Sequence, residues 1–563
     1  MNHHLYTERF LAINQVFGKL LVLAAMASLT GCQSLPSQPH LEKSQALTDT
    51  SQQIANQLQN DTRLIDQISN TQNPNPSKLS GYYPLLASND AFASRSILTN
   101  LANHSIDIQY YIWHNDEAGQ LMLKDLYNAA NRGVKVRLLL DDLNTNPELD
   151  QQLLAFASHP NIAVRLINPK KIRTITAANF VTALPRYQRR MHNKSMTFDH
   201  QLSIIGGRNI GNEYLRSDTQ DVFADLDVLL AGKVVNDIDN SFEQYWQSPL
   251  SYDIERLVKP AKNPKKNRSD EPFLSTLTKI APVAKDSHLR RSAQLYKTAE
   301  KAVIDSQLLN KRVKFRWRPM QFLADNVNKL LQQAKPNELL VNQLRNIIGS
   351  PTSNFSIISS YFVPTPLGVA QLQQLADSGV KVQVLTNSFN STDVPIVHSG
   401  YGATRAALTK AGVSLYELKS NTDPDFRQKK RHLSRNKFNT SLHTKAFAVD
   451  DRLAFIGSYN IDPRSANINT ELGVVIFDKQ LANAIHQSFN QDLLTVSYRV
   501  ALSPKQQLQW VTIADDKADE LNETWAQEQL ESQPKTLAKE PNISWFNRVL
   551  LSVLARLPIN GLL

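Results

Sequence analysis

The pattern His-x-Lys-x-x-x-x-Asp occurs twice, at His192, Lys194, Asp199 and again at His443, Lys445, Asp450. Each copy is followed at the same offset by a small-residue turn and an asparagine, Gly206-Gly207-Arg208-Asn209 and Gly457-Ser458-Tyr459-Asn460. The copies stand 251 positions apart, and Gly-Val-Lys-Val recurs at 133 and 379, a separation of 246. The repeat therefore reaches well beyond the motif. A chain so built is constrained to two homologous lobes, each carrying half of one site.

The flanking segments say what kind of lobe. In the first half a helical stretch, Ala91 to Asn103, precedes the β-branched and aromatic run Ile106 to Ile112, which reads as a strand. A helix follows from Gly119 to Arg132, closed by Gly133, and Val134 to Leu140 is the next strand. Phe355 to Tyr361, Leu367 to Ser378 with Gly379, and Val380 to Leu385 repeat that plan. Strand, helix and strand in this order make a right-handed crossover between parallel strands. The fold class expected is α/β: two homologous lobes, each a mixed sheet flanked by helices, related by a pseudo-two-fold axis around one shared active site.

Both motifs sit between strands, Met196 to Phe198 then Leu202 to Ile205, and Ala446 to Val449 then Leu453 to Ile456. Residues i and i+2 of a strand point the same way, so His192 faces with Lys194 and His443 with Lys445. Two such edges face to face give two imidazoles and two ammonium groups around one phosphate. One neutral histidine can attack phosphorus, while the other, protonated, gives its proton to the leaving alkoxide. The lysines hold the non-bridging oxygens, and Asn209 and Asn460 are candidates to bind the same oxygens. No metal and no cofactor is needed. The motif aspartates Asp199 and Asp450 belong to the catalytic set by position, but are expected to shape the loop rather than touch substrate.

These residues resemble the phospholipase D superfamily, whose members exchange or break phosphodiesters through a phosphohistidine. The resemblance implies an acidic residue that orients each histidine: Glu471 matches in the second half, and Asp225, with Asp227 as rival, in the first. It also implies His192 as nucleophile and His443 as acid/base. Tyr110-Tyr111-Ile112-Trp113, Arg190-Met191-His192-Asn193-Lys194-Ser195, Ser359-Ser360-Tyr361-Phe362-Val363-Pro364, Val397-His398-Ser399-Gly400-Tyr401 and Asp462-Pro463-Arg464-Ser465 are similar to cardiolipin synthases of the C type. That implies phosphatidyl transfer onto phosphatidylglycerol, with phosphatidylethanolamine or a second phosphatidylglycerol as donor, and His398 as a candidate pocket residue. Hydrolysis to phosphatidic acid, nuclease action and a non-enzymatic scaffold are the competing readings; decay of one motif, which a scaffold would permit, has not occurred.

Charge asks for a polyanion, membrane or nucleic acid, and anchoring favours the membrane. The formal net charge is +11, which favours a polyanionic partner. Basic clusters precede each motif: Lys170, Lys171, Arg173, Arg186, Arg189 and Arg190, then Arg427, Lys429, Lys430, Arg431, Arg435 and Lys437. Both are expected to ring the mouth of a cleft. The single cysteine, Cys32, excludes internal disulfides and cysteine-built metal sites. Arg9, Lys19 and the apolar run Leu20 to Leu29 lead into Leu29-Thr30-Gly31-Cys32, which resembles a bacterial lipoprotein signal with lipidation at Cys32. The run is shorter than the roughly 20 apolar residues that span a bilayer. A periplasm-facing body is expected, with Gln33 favouring the outer membrane. Trp545 to Leu557 has helical apolar spacing with arginines at its edges and suits an interfacial helix.

The organisation expected is a signal peptide over 1–31, a flexible tether over 32–80 with room for a short helix around Ile54 to Ile68, the first lobe over 81–255, and a linker with a helical segment over 256–310. The second lobe then spans 311–500, with a C-terminal extension over 501–563.

Overall fold

The computed structural model describes residues 35–37, 40–58, 61–173, 179, 184–216, 221–261, 273–277, 303–420, 439–490, 492–513, 534–541 and 543. Cys32, the second basic cluster and Trp545 to Leu557 lie outside the described residues.

In the first half the strands are β1 (Ser80–Leu85), β2 (Ser105–Tyr110), β3 (Lys135–Asp141), β4 (Ile162–Ile167), β5 (Ser195–Phe198), β6 (Leu202–Gly206), β7 (Asp221–Ala224), β8 (Asp227–Gly232), β9 (Ser251–Asp253) and β10 (Arg316–Arg318). In the second they are β11 (Met320–Ala324), β12 (Asn354–Ser359), β13 (Lys381–Asn387), β14 (Ser414–Leu418), β15 (Asn439–Leu442), β16 (Lys445–Val449), β17 (Leu453–Gly457), β18 (Leu472–Ile476), β19 (Ser497–Leu502), β20 (Leu508–Thr512) and β21 (Lys535–Leu537). One sheet runs β10-β1-β8-β6-β5-β2-β3-β4-β9, the other β11-β18-β17-β16-β12-β13-β14-β19-β20-β21. From β1 and from β11 onward, eight strands follow the same order in both. The duplication legible in sequence is thus a duplication of whole sheets.

The crossover units form as their residues dictate. Asp116 caps the helix Glu117–Asn131 by accepting from Gly119 N, and Thr365 caps Pro366–Asp377 in the same way through Gly368 N. Both helices end on a glycine of positive φ, Gly133 at 103° and Gly379 at 88°, a backbone that only glycine adopts without strain. β2 and β3 run parallel, as do β12 and β13, while β5 and β16 return antiparallel beside β2 and β12. The end at which β2, β3 and β4 finish is therefore also where β5 begins; it is called the site end below.

The two sheets press against each other through one apolar core. Ile205, Val228 and Leu230 of the first lobe meet Ala446, Ala448, Ala454 and Ile456 of the second. Alanines at these positions let the sheets approach closely. Tyr82 donates to Asp478 at 2.7 Å and Tyr245 to the Asp325 carbonyl at 2.7 Å across the same boundary. The lobes form one packed body.

Three expectations about organisation are corrected. The segment 32–80 is no simple tether: from Glu42 it forms the helix Glu42–Gln57 and then Arg63–Ile68. The first helix docks through polar side chains, with Arg165 donating to Ser44 at 3.0 Å and Trp246 to Thr48 at 2.8 Å. The lobe boundary lies past 311, because Arg316–Arg318 completes the first sheet. Beyond 500, β20 and β21 extend the second sheet rather than standing apart. Among the described residues, no helix is long and apolar enough to cross a membrane.

Candidate active site

The lead-in to each motif strand pairs with the opposite lobe. His192 N donates to the Thr470 carbonyl at 2.9 Å, and Thr470 N to the Arg190 carbonyl at 3.0 Å. On the other side β7 and β15 run parallel, and His443 N donates to the Ala224 carbonyl at 2.8 Å. This cross-lobe register delivers a carboxylate from one lobe to the histidine of the other. His192 Nδ1 lies 2.8 Å from Glu471 Oε2, and His443 Nδ1 lies 2.6 Å from Asp225 Oδ2. Since Nδ1 is engaged on both rings, Nε2 is the nitrogen left to face a substrate. Asp227, the rival to Asp225, is instead tied to Arg95 at 2.8 Å inside the first lobe.

The lysines are buried with their histidines. Lys194 Nζ donates to the His192 carbonyl at 2.8 Å, and Lys445 Nζ to Ser360 Oγ at 2.8 Å and to the His443 carbonyl. Tyrosines complete each half: Tyr111 meets His192 edge-on at 4.9 Å, and Tyr214 meets His443 at 5.2 Å. Lys194 Nζ stands 5.5 Å from the Tyr111 ring and Lys445 Nζ 5.9 Å from the Tyr361 ring. Tyr361 in turn donates to Asp393 at 2.8 Å. Asn209 accepts from Ile112 N at 3.2 Å, and Asn460 accepts from Ser360 Oγ at 2.9 Å.

Burial and like charge set the protonation states. Burial first, then Lys194, Lys445 and His443, hold His192 well below the ordinary histidine value. His443 is lowered too, by burial and Lys445, but Asp225 works against them. Burial brings Lys194 down to about 7 and Lys445 to about 8. It also raises Glu471 to about 7, whereas Asp225, despite burial, is held low chiefly by His443. The two halves are therefore alike in geometry and unlike in charge: His192 is the more firmly neutral ring, and His443 has the ionised partner.

The motif aspartates lie at the other end of the strands. Asp199 accepts from the N–H groups of Asn103, His104 and Ser105 at 2.9, 2.8 and 2.9 Å. Asp450 does the same for Thr352, Ser353 and Asn354. Both have positive φ, 49° and 50°, and each ties its turn to the start of β2 or β12. Their place in the catalytic set is thus corrected: they are anchors of the motif strand.

The first basic cluster is corrected as well. Arg190 pairs with Asp141 at 3.0 Å, and Arg173 with Asp142 and Asp150 at 2.6 Å each. Lys170 donates to the Thr145 carbonyl at 2.6 Å and Arg186 to that of Pro169 at 2.8 Å. Buried cations need such partners; of the cluster, Lys171 is exposed and Arg189 half-buried. His398 lies 2.6 Å from Glu540 and 2.6 Å from Arg405 in a polar cluster inside the second lobe. Among the described residues one group, Asp107, His200 and Asp239, has metal-like spacing. Arg137 already holds Asp107 through two 2.7 Å bonds, so a cation is in place there.

Asp393, Tyr214 and Ser360 were not singled out from sequence. Tyr111 and Tyr361 carried a signal, since each stands just past the end of an equivalent strand, β2 or β12.

Residues 97–246 and 344–493 each match the PLD-like domain of cardiolipin synthase. The chain is 37% identical to cardiolipin synthase C of Escherichia coli (strain K12), over 86% of this chain and 96% of that protein. It is 24% identical to a cardiolipin synthase of Staphylococcus aureus (strain Mu50 / ATCC 700699), over 70% of this chain and 64% of the other. The crystal structure of phosphatidylserine synthase from Haemophilus influenzae Rd KW20 overlaps 78% of this chain and 91% of its own, with a TM-score of 0.49 and 14% identity.

Proposed function

The chain belongs to the cardiolipin synthase family of paired PLD-like domains and is an enzyme of the phospholipase D superfamily, and from that premise we propose that it moves a phosphatidyl group between phospholipids, forming cardiolipin. The observation that carries this reading is the crossed pair His192–Glu471 and His443–Asp225, which leaves two Nε2 atoms beside two buried ammonium groups.

The neutral His192 attacks phosphorus through Nε2, forming an N–P bond as the P–O bond to the donor headgroup breaks. His443, made an imidazolium with Asp225 ionised behind it, gives its Nε2 proton to the departing alkoxide. It then takes a proton from a hydroxyl of phosphatidylglycerol, whose oxygen displaces His192 from phosphorus. Lys194 and Lys445 hold the non-bridging oxygens, where growing negative charge offsets their desolvation; Asn209 and Asn460 donate from their side-chain amides. The different charge states of the two halves support His192 as nucleophile. We place the body at the bacterial envelope, facing the periplasm and lipidated at Cys32, with the outer membrane favoured by Gln33.

Purified mature protein would be given labelled phosphatidylglycerol with and without phosphatidylethanolamine, beside His192→Ala and His443→Ala. Cardiolipin from the wild type and none from either variant is expected; phosphatidic acid alone would make the enzyme a hydrolase. A phosphatidyl ester of p-nitrophenol needs no proton on leaving, so with it His443→Ala should accumulate label on His192.

A further inference from the structure

We propose that the site end of the molecule is its membrane-docking face, which inserts Leu86, Leu367 and Val496 into the outer zone of an anionic bilayer and holds the cleft mouth against it. Among the described residues the large exposed apolar side chains are Leu86 at 71%, Leu309 at 60%, Leu367 at 59%, Val496 at 39% and Leu331 at 37%. Scattered single leucines need no explanation on a soluble surface; convergence on one end does.

Sheet topology fixes where the first three stand. Leu86 follows β1, whose last residue pairs with Asp227 at the site end of β8, and its carbonyl accepts from Arg208, which also bonds the carbonyl of Asp225. Leu367 is in the first turn of the helix that follows β12, just beyond Tyr361. Val496 precedes β19, and its carbonyl accepts from Lys419, one residue past the end of β14. One apolar side chain thus comes from the first lobe and two from the second, on either side of the shared cleft. Lys171, just beyond β4, and Arg189, just before the first motif, are at the same end, with a charge that suits anionic headgroups.

The N-terminal connection is an independent observation. His40 Nε2 lies 3.0 Å from the Ser251 carbonyl, and Leu41 N donates to Asp253 at 2.5 Å. Ser251 pairs with Ile167, the last residue of β4, so the chain enters the body at the site end. The helix Glu42–Gln57 then runs away from it, from Ser44 beside Arg165 to Ser51 beside His200 at the β5–β6 turn. Seven residues lie between Cys32 and His40, a span of at most about 29 Å over eight fully extended steps. An acyl group on Cys32, which is part of the functional reading above, is thereby joined to the body at the end where the cleft opens.

The test uses the mature chain with Cys32→Ser, so that no acyl anchor masks the face. Binding to vesicles of phosphatidylglycerol and phosphatidylethanolamine is measured by co-sedimentation for this protein, for Leu86→Ser/Leu367→Ser/Val496→Ser, and for Leu309→Ser. The triple variant should bind at least about tenfold more weakly and Leu309→Ser unchanged. Lys171→Glu/Arg189→Glu should weaken binding to these vesicles but not to vesicles of phosphatidylcholine. Turnover of a monomeric short-chain phosphatidylglycerol should be equal in the parent and the triple variant. Equal vesicle binding by parent and triple variant, or an equal loss with Leu309→Ser, overturns the proposal. Because vesicle binding is read without catalysis, absence of any lipid turnover would count against the proposed function and leave this result standing.

Discussion

Glu471 of the second lobe holds Nδ1 of His192 in the first at 2.8 Å, and its own position is fixed by Ser458 and by Ser465 at 2.8 Å. Each lobe therefore depends on the other for the carboxylate that orients its histidine. Glu471→Gln keeps an oxygen for Nδ1–H but loses the charge. Rates should fall by about 10²- to 10⁴-fold, with KM for lipid changed far less than kcat. With the p-nitrophenol ester, Glu471→Gln should still slow the first half-reaction while Asp225→Asn spares it. Equal slowing by both would reverse or erase the assigned roles.

Lys194 and Lys445 should set the alkaline limb of activity. In the free enzyme Lys194 is brought to about 7 and Lys445 to about 8 by burial, so kcat/KM should decline as pH rises through that range. A bound phosphodiester restores their charge, so the limb of kcat should lie higher. Coincident limbs would mean the lysines do not meet phosphate. Linkage adds a stability test: between the folded value near 7 and the ordinary value of 10.5, the unfolded chain binds the extra proton, so stability rises with pH. Lys194→Met should abolish activity yet stabilise the fold at pH 7 by about 1–3 kcal/mol, an advantage that shrinks toward pH 10. Urea titrations at both pH values check this.

Much of this site could be read from the chain because its repeat is covalent information: the motifs recur 251 positions apart, and the capping glycines and the two acids 246 apart. The pairing across lobes could not, since offset says nothing of which histidine an acid will meet. Nor did the basic run at 170–190 disclose that Arg173 and Arg190 turn inward, because Asp141, Asp142 and Asp150, which draw them in, lie a strand and a helix away in sequence. The helix Glu42–Gln57 shows in the sequence only at its far end, within the stretch Ile54 to Ile68, and for another reason. Its docked face is Ser44, Leu47, Thr48 and Ser51, held by hydrogen bonds rather than by the apolar stripe that marks a packed helix.

Asp199 and Asp450 offer a way to separate folding from chemistry within one motif. Asp199→Ala removes an acceptor from buried backbone N–H groups and should cost about 2–4 kcal/mol. Asp450→Ala should cost about 1–2 kcal/mol, since its site is more open to water. The folded protein that remains should keep its kcat within several-fold. Burial would raise Asp450, but the N–H groups of Ser353, Asn354 and Thr352 outweigh it and hold the carboxyl at about 2. Its contribution is therefore full above the ordinary value of 3.8 and disappears as pH falls through about 2. Acid unfolding of Asp450→Ala should lack that component. Loss of kcat by orders of magnitude in a folded Asp199→Ala would return this residue to the catalytic set.

Gly207 tests whether Asp225 acts through position. A Cβ at residue 207 would stand 2.1 Å from Asp225 Oδ1, closer than any contact allows, so the carboxylate or the turn carrying residue 207 must shift, and a shift of the carboxylate disturbs its bond to His443. Gly207 itself has no side chain with which to meet substrate. Gly207→Ala should lower kcat by about 10²-fold, as loss of a supporting carboxylate does, for a stability cost of about 1–3 kcal/mol from overpacking. Asp225→Asn added to Gly207→Ala should then cost little more, because the first change has already taken the carboxylate from the ring. Full additivity of the two losses in kcat would show that Asp225 stays on His443 and that the glycine acts by another route.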